Sequence, residues 1–275
     1  MKLKAPVFSF TLVILFLLSS CGPNSTESWQ FSNEIPLEGV GIIGLEYDAE
    51  EELFWISDGD NNRLIRADQS GEVVEDVHAF SRPMHLSYRE GILYVAEYGA
   101  DRIVYIAGED LVSVPLPRAP DAPAGVDVDG RRMAVADFYN HRILLWDESG
   151  DLSFGIEGSE DGDFHYPTQV RFFEEKLYVA DAYNHRVQVF DSDNNHLKTI
   201  GAGDGMDATT GIFVDESGIY ATDFENSRLL VYSHEGELIQ TIDEQLDKPT
   251  AVIKSDNKLF IANYRGQSIS VFEWR

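Results

Sequence analysis

The chain has a single cysteine, Cys21, in 275 residues, so no internal disulfide can hold its fold. Basic residues are few. Twenty-one Lys and Arg stand against 48 Asp and Glu, a formal net charge of −27. A surface this acidic repels phosphate backbones, so nucleic acid is not an expected partner. Helical periodicity is nearly absent beyond residue 30, which argues against a helical bundle. There is no Ser or Cys nucleophile motif and no Walker or dinucleotide-binding glycine pattern. The one apolar run, residues 7–18, is too short and too terminal for an ordinary membrane span.

That run belongs to a distinct N-terminal text. Lys2 and Lys4 give it a basic start, and it ends in Leu18-Ser19-Ser20-Cys21 followed by Gly22. This resembles the lipobox of a bacterial lipoprotein, whose cysteine becomes the acylated first residue. The resemblance implies a signal peptide at residues 1–20, lipidation of Cys21 and a tether at residues 21–28. It also implies a lipid-anchored location in the bacterial cell envelope, periplasmic or on the outer surface. An acylated cysteine would hold the protein at a membrane. Removing residues 1–20 takes away two Lys and no acid, leaving 19 basic against 48 acidic residues, or −29.

The remainder repeats one phrase six times. LYVADAYNHRVQVFD begins at Leu177, with counterparts starting at Leu53, Ile92, Met133, Ile219 and Leu259. The acid that ends the apolar run is Asp58, Glu97, Asp137, Asp181 or Asp223, and Asn263 takes its place in the sixth copy. These positions are about 40 residues apart, the period of a propeller blade or an array. Within one copy four short strands can be read: PTQVRFF, KLYVADA, HRVQVFD and HLKTIGA. They are apolar on both sides of the pleat, as strands are when blades pack on blades. Turns with Asp or Ser first and Gly last, at 68–71, 147–150 and 233–236, separate third from fourth strands.

The phrase YVADAYNHRVQVFD resembles the NHL repeat, over essentially all of residues 29–275. Copies three and four fit best, with Asp137 to Arg142 and Asp181 to Arg186 reading DFYNHR and DAYNHR, and copy six departs most. The resemblance implies an all-β, six-bladed β-propeller of four-stranded antiparallel blades. First strands are expected near Ile42, Pro83, Pro123, Pro167, Thr209 and Pro249. The chain ends just after the third strand of copy six, and an unpaired apolar edge invites aggregation. Residues 29–37 are therefore expected to close the ring as the outer strand of blade six.

Five acids pair by spacing with five arginines: Asp58 with Arg63, Glu97 with Arg102, Asp137 with Arg142, Asp181 with Arg186, and Asp223 with Arg228. Copy six changes both partners together, to Asn263 and Ser268. Loss of both members is what a structural charge pair predicts, because one carboxylate left alone near a core is costly. The acids are thus expected to be blade structure, with the would-be metal ring cancelled by arginine. Asp58-Gly59-Asp60-Asn61-Asn62 resembles the start of a calcium loop but lacks the later Glu, and is expected to be a polar turn.

Ligand binding is expected at the channel mouth, where loops converge. The candidates are Tyr98, Phe138, Tyr139, Tyr183, Phe224, Tyr264, Arg265, Arg82 and His85, beside His165, Thr168, Gln169, Thr210 and Thr250. Peptidyl amidating lyases resemble this fold and place zinc histidines directly after the proline that opens an inner strand. Here those positions are Met84, Ala124, Thr168 and Thr250, and strand alternation would turn His85 to the other face. Tyr139 and Tyr183 do match a tyrosine position of those lyases. The residues thus point first to a membrane-tethered binding or scaffold module for a protein, peptide or glycan, with no cofactor and no metal. The alternative is a metal-dependent lyase or lactonase of the amidating-lyase or gluconolactonase type, with a divalent cation in the channel.

Overall fold

A computed structural model describes residues 27–275 apart from 109, 148 and 149. The expected signal peptide at residues 1–20, Cys21, most of the expected tether and the middle of the 147–150 turn lie outside the described residues. Six four-stranded antiparallel sheets form the molecule, and their inner strands contact one another in an unbroken ring. The inner strands are Ile42–Asp48, Pro83–Arg89, Pro123–Asp129, Pro167–Phe173, Thr209–Asp215 and Pro249–Ser255. All six start where the repeat placed them.

The ring closes as expected. Strand Trp29–Pro36 pairs antiparallel with Ser268–Trp274, so blade six is completed by the start of the folded chain. An extra residue, Ser32, interrupts this ladder between Phe31 and Asn33. A bulge reverses which residues face which side. Trp29 and Phe31 consequently pack into the core between blades five and six, with Tyr220, Leu229 and Phe272. Past the bulge, Ile35 joins the core between blades six and one, with Leu37, Ile42 and Phe54. One strand thus seals two interfaces. Burying Trp29, Ile35 and Leu37 contributes roughly 5–9 kcal/mol before entropic costs.

The other interblade seams are separate apolar clusters built from the two-faced strands. The turns at 68–71 and 233–236 follow their sequence chemistry. Gly71 and Gly236 take positive φ of 89° and 91°, and their N–H groups donate to the carbonyls of Asp68 and Ser233 at 3.0 Å. No described helix is long and apolar enough to cross a membrane.

Inner strands approach closely around the channel. Their third positions are mostly small, Gly44, Gly125, Gly211 and Ala251, with His85 and Gln169 the two large ones. A Cβ on Gly211 would lie 2.3 Å from the Thr250 carbonyl oxygen of the next blade. In every blade the ladder between first and second strands slips just after its opening residue.

Candidate functional site at the channel mouth

The repeat phrase builds the mouth hairpins. Each acid ends a second strand and lies opposite its arginine across the ladder. Arg Nε donates to the carboxylate at 2.6–2.8 Å in four blades, and Arg102 pairs with Glu97 in the same way. All five acids are fully buried. The second carboxylate oxygen accepts the backbone N–H of Gly41, Ser81, Asp121, His165 or Asp207 at 2.7–3.0 Å. Each acid therefore ties the loop entering its own blade to the hairpin. Burial pushes the Asp181 carboxyl up, against the bonds from His165, Asn184 and Arg186.

A second sixfold device links blades. The residue before each arginine or its counterpart is left-handed, with φ of 50–56°: Asn62, Asp101, His141, His185, Ser227 and Gln267. Its side chain accepts a backbone N–H from the next blade's entry loop, at 2.8–3.2 Å. The donors, Gly39, Arg82, Ala122, Tyr166, Ala208 and Lys248, also have positive φ. His141 and His185 work here through Nδ1, as interblade acceptors. Asp60 sits in a single-turn 3₁₀ helix, Gly59–Asn61, and that segment is a polar turn.

Between these hairpins lies a recess of about 260 Å³. Arg82, His85, Phe224 and Tyr264 line it, together with Ile43, Asp60, Met84 and three threonines, 168, 210 and 250. Strand alternation had turned His85 away from Met84's side; the slip after Pro83 lets both residues line the recess. The threonine hydroxyls are engaged. Thr168 donates to the Thr209 carbonyl at 3.2 Å, Thr210 to that of Pro249 at 3.2 Å, and Thr250 to that of Ile42 at 2.8 Å. Each bond reaches the neighbouring blade, leaving the floor mainly apolar. Gln169 likewise bonds the Ile212 N–H at 2.6 Å.

The recess is blind. His85 of blade two is 2% exposed and hydrogen-bonds the backbone of Thr210 in blade five, across the channel. Burial, and secondarily the charge of Arg171, pushes its pKa down to about 3, so the ring stays neutral. Its Nδ1 has no hydrogen-bond partner. One layer deeper, buried Arg171 of blade four reaches Glu46 of blade one at 2.5 Å, Asp127 of blade three at 3.5 Å and the Leu86 carbonyl of blade two at 3.3 Å. Arg89 and Ser87 complete the cluster on Asp127 at 3.2 and 2.6 Å. This plug was not foreseen from the sequence. Its signal was the charged residues at inner-strand positions that are apolar or small in other copies.

The remaining candidates lie beside the recess. Tyr98, Phe138, Tyr139 and Tyr183 form an arc of edge-on and tilted rings with Tyr166 and His165. Tyr98 donates its hydroxyl to that of Tyr139 at 2.7 Å. Tyr139 and Tyr183 are 50% and 53% exposed. Arg82 bridges arc and recess, its guanidinium 5.1 Å from the centre of the Tyr98 ring. On the far side Tyr264 donates to Asp60 at 2.6 Å, a bond that, with burial, raises its pKa. Arg265 is exposed, outside the recess. Asp60 and Tyr166 were overlooked. Tyr166 shares a repeat column with Arg82 and Lys248, one residue before the inner strand, and that column marks the mouth. Among the described residues, no three or more His, Cys, Asp and Glu side chains gather to hold a metal.

A family model described as a 6-bladed beta-propeller matches residues 131–270. No curated protein matches the chain. Among solved structures it is similar to a streptogramin B lyase, with 15% identity, a TM-score of 0.66, and coverage of 88% of this chain and 97% of that one. It is also similar to a catalytically inactive virginiamycin B lyase from Staphylococcus aureus solved with quinupristin (15% identity, TM-score 0.65, 90% and 88% covered). A nidogen/laminin complex follows, at 16% identity and a TM-score of 0.59 over 73% and 79% of the two chains. At these identities the likeness is one of fold. With six four-stranded blades closed in a ring and the family's model spanning half its length, this chain belongs to that 6-bladed beta-propeller family.

Proposed function

We propose that the protein is a lipid-tethered binding propeller of the bacterial envelope, whose mouth captures a protein, peptide or glycan. The observation that carries this reading is the blind recess flanked by solvent-exposed rings. Concave, largely apolar sites with a few polar groups are what binding surfaces use. The ends of the folded chain support the tether. Ser28 and Arg275 bond each other's backbones at 2.7 and 3.0 Å. The closing strand runs from that end to Pro36, opposite Ser268 in the mouth hairpin. A lipid on Cys21 would thus leave the face opposite the mouth and hold the recess away from the membrane.

The alternative, a metal-dependent lyase or lactonase, has one observation in its favour: a channel histidine with an unpartnered nitrogen. Against it stand the lowered pKa of His85, which makes it a poor base, and the lack, among the described residues, of any group of three or more His, Cys, Asp and Glu side chains around it. The test compares the parent with a Tyr183→Ala, Tyr264→Ala variant in pulldowns from envelope extract. The variant should melt like the parent and lose the captured partner. Undiminished capture would place binding elsewhere.

A further inference from the structure

We infer that the recess is a receptor for the free carboxylate end of a peptide whose last residue is apolar, an inference that rests on the mouth being the binding surface. The chain carries far more acid than base, and its arginines are mostly held by carboxylates. Arg82 is different. Among the described residues its guanidinium makes no ion pair and only lies over the Tyr98 ring. Its backbone is fixed, with the N–H on Asn62 at 2.8 Å and the carbonyl accepting from Tyr98 N–H at 3.2 Å. A cation held in place without an anion is a ready partner for a carboxylate, which guanidinium binds through two parallel hydrogen bonds. The acid that shares the recess, Asp60, makes no ion pair with Arg82 and has one carboxylate oxygen held by the Tyr264 hydroxyl.

The floor chooses what accompanies the carboxylate. Threonines that spend their hydroxyls on neighbouring carbonyls, with Ile43 and Met84, suit a hydrocarbon side chain. A sugar ring would need hydrogen-bond partners for several hydroxyls, and this floor has few to give. Because His85 and Arg171 close the channel, a chain can enter only end first. About 260 Å³ holds a terminal residue, not a folded surface, and the preceding residues would lie across the exposed rings.

Calorimetry on the full chain in detergent tests this with N-acetyl-Ala-Ala-Leu, its C-terminal amide, hexanoate and a chitin trisaccharide. The peptide acid should bind at least about tenfold more tightly than the amide, since a charge-assisted bond contributes about 1.5–3 kcal/mol. Arg82→Gln should bring the two within about twofold. Hexanoate and the trisaccharide should bind more weakly than the peptide acid. Equal binding of acid and amide, no detectable binding of the acid, or preference for hexanoate or the sugar would overturn the inference. If acid and amide bind equally yet Tyr264→Ala abolishes both, only the carboxylate assignment falls. If neither Arg82→Gln nor Tyr264→Ala changes peptide binding, the mouth itself is not the site.

Discussion

In blade five, Asp223 and Arg228 meet as an ion pair at 2.6 Å; in blade six the same two places hold Asn263 and Ser268, 3.4 Å apart. The geometry survives the change of chemistry. Asn263 still accepts the entry-loop N–H, from Asp247 at 3.1 Å, as Asp223 does from Asp207 at 2.7 Å. Where Arg228 reaches the carbonyls of Asp204 and Gly205, blade six substitutes a relay. Asn263 donates to Ser270, Ser270 to the Gln245 carbonyl, and Ser268 to Glu34 of the closing strand. The hairpin needs a fixed acceptor aimed at the entry loop; charge is one way to fix it. Blade six, joined by the closing strand, uses neutral groups and takes a carboxylate from outside the repeat.

The severest way to break this comparison is to remove the closing strand. Deleting residues 29–37 takes away a whole ladder and the apolar anchors of two seams, a loss comparable to the net stability of a domain. The cooperative melting transition should largely disappear in calorimetry; a deletant that melts like the parent would disprove closure. Next in size, Arg228→Ser leaves Asp223 buried and unpaired and should cost about 3–5 kcal/mol in chemical denaturation. Adding Asp223→Asn, which copies blade six, should recover at least about 1 kcal/mol of that loss, because a neutral amide is far cheaper to bury. A double variant as unstable as the single one would show that the carboxylate's charge is not the problem.

The smallest effect joins the same two blades at the opposite face, where Lys254 of blade six pairs with Asp215 of blade five. Burial alone would raise Asp215, but the bonds from Lys254 and Ser217 outweigh it and hold the carboxyl below its ordinary value. A lowered pKa contributes stability above the unfolded-state value that is lost as pH falls through the folded one. Stability should therefore decline on acidification below the ordinary Asp range, and Asp215→Asn should flatten part of that decline. An unchanged acid limb would remove Asp215 from the account.

The repeat made the fold readable because each copy states the same strand pattern, turn chemistry and acid–arginine spacing, and six agreeing copies leave little freedom. Even the closing strand followed from one missing partner. The mouth was legible in part. Arg82, His85, Phe224 and Tyr264 do meet in one recess, while Tyr98, Phe138, Tyr139 and Tyr183 form a separate arc. Period-two alternation alone would turn His85 away from Met84's side, but it assumes an unbroken ladder, and the ladder slips at the start of that strand. His141 and His185 belong to the repeat phrase, and their left-handed column holds Asn, Asp, Ser and Gln in the same interblade bond.

The sequence alone thus determined the architecture, since local pattern and repeat length are written along the chain and strand pairing within a blade is between neighbours. It also pointed to the recurring acids and arginines as partners, because the copy that loses one member loses both, and the five do pair. Only the tertiary structure decided what lies inside the ring. Whether His85 reaches Thr210, or Arg171 reaches Glu46, depends on residues of opposite blades meeting across a channel whose width is set by packing all six. No spacing along the chain encodes that distance. For the same reason an arginine without an anion, Arg82, became visible only once every nearby carboxylate had been placed.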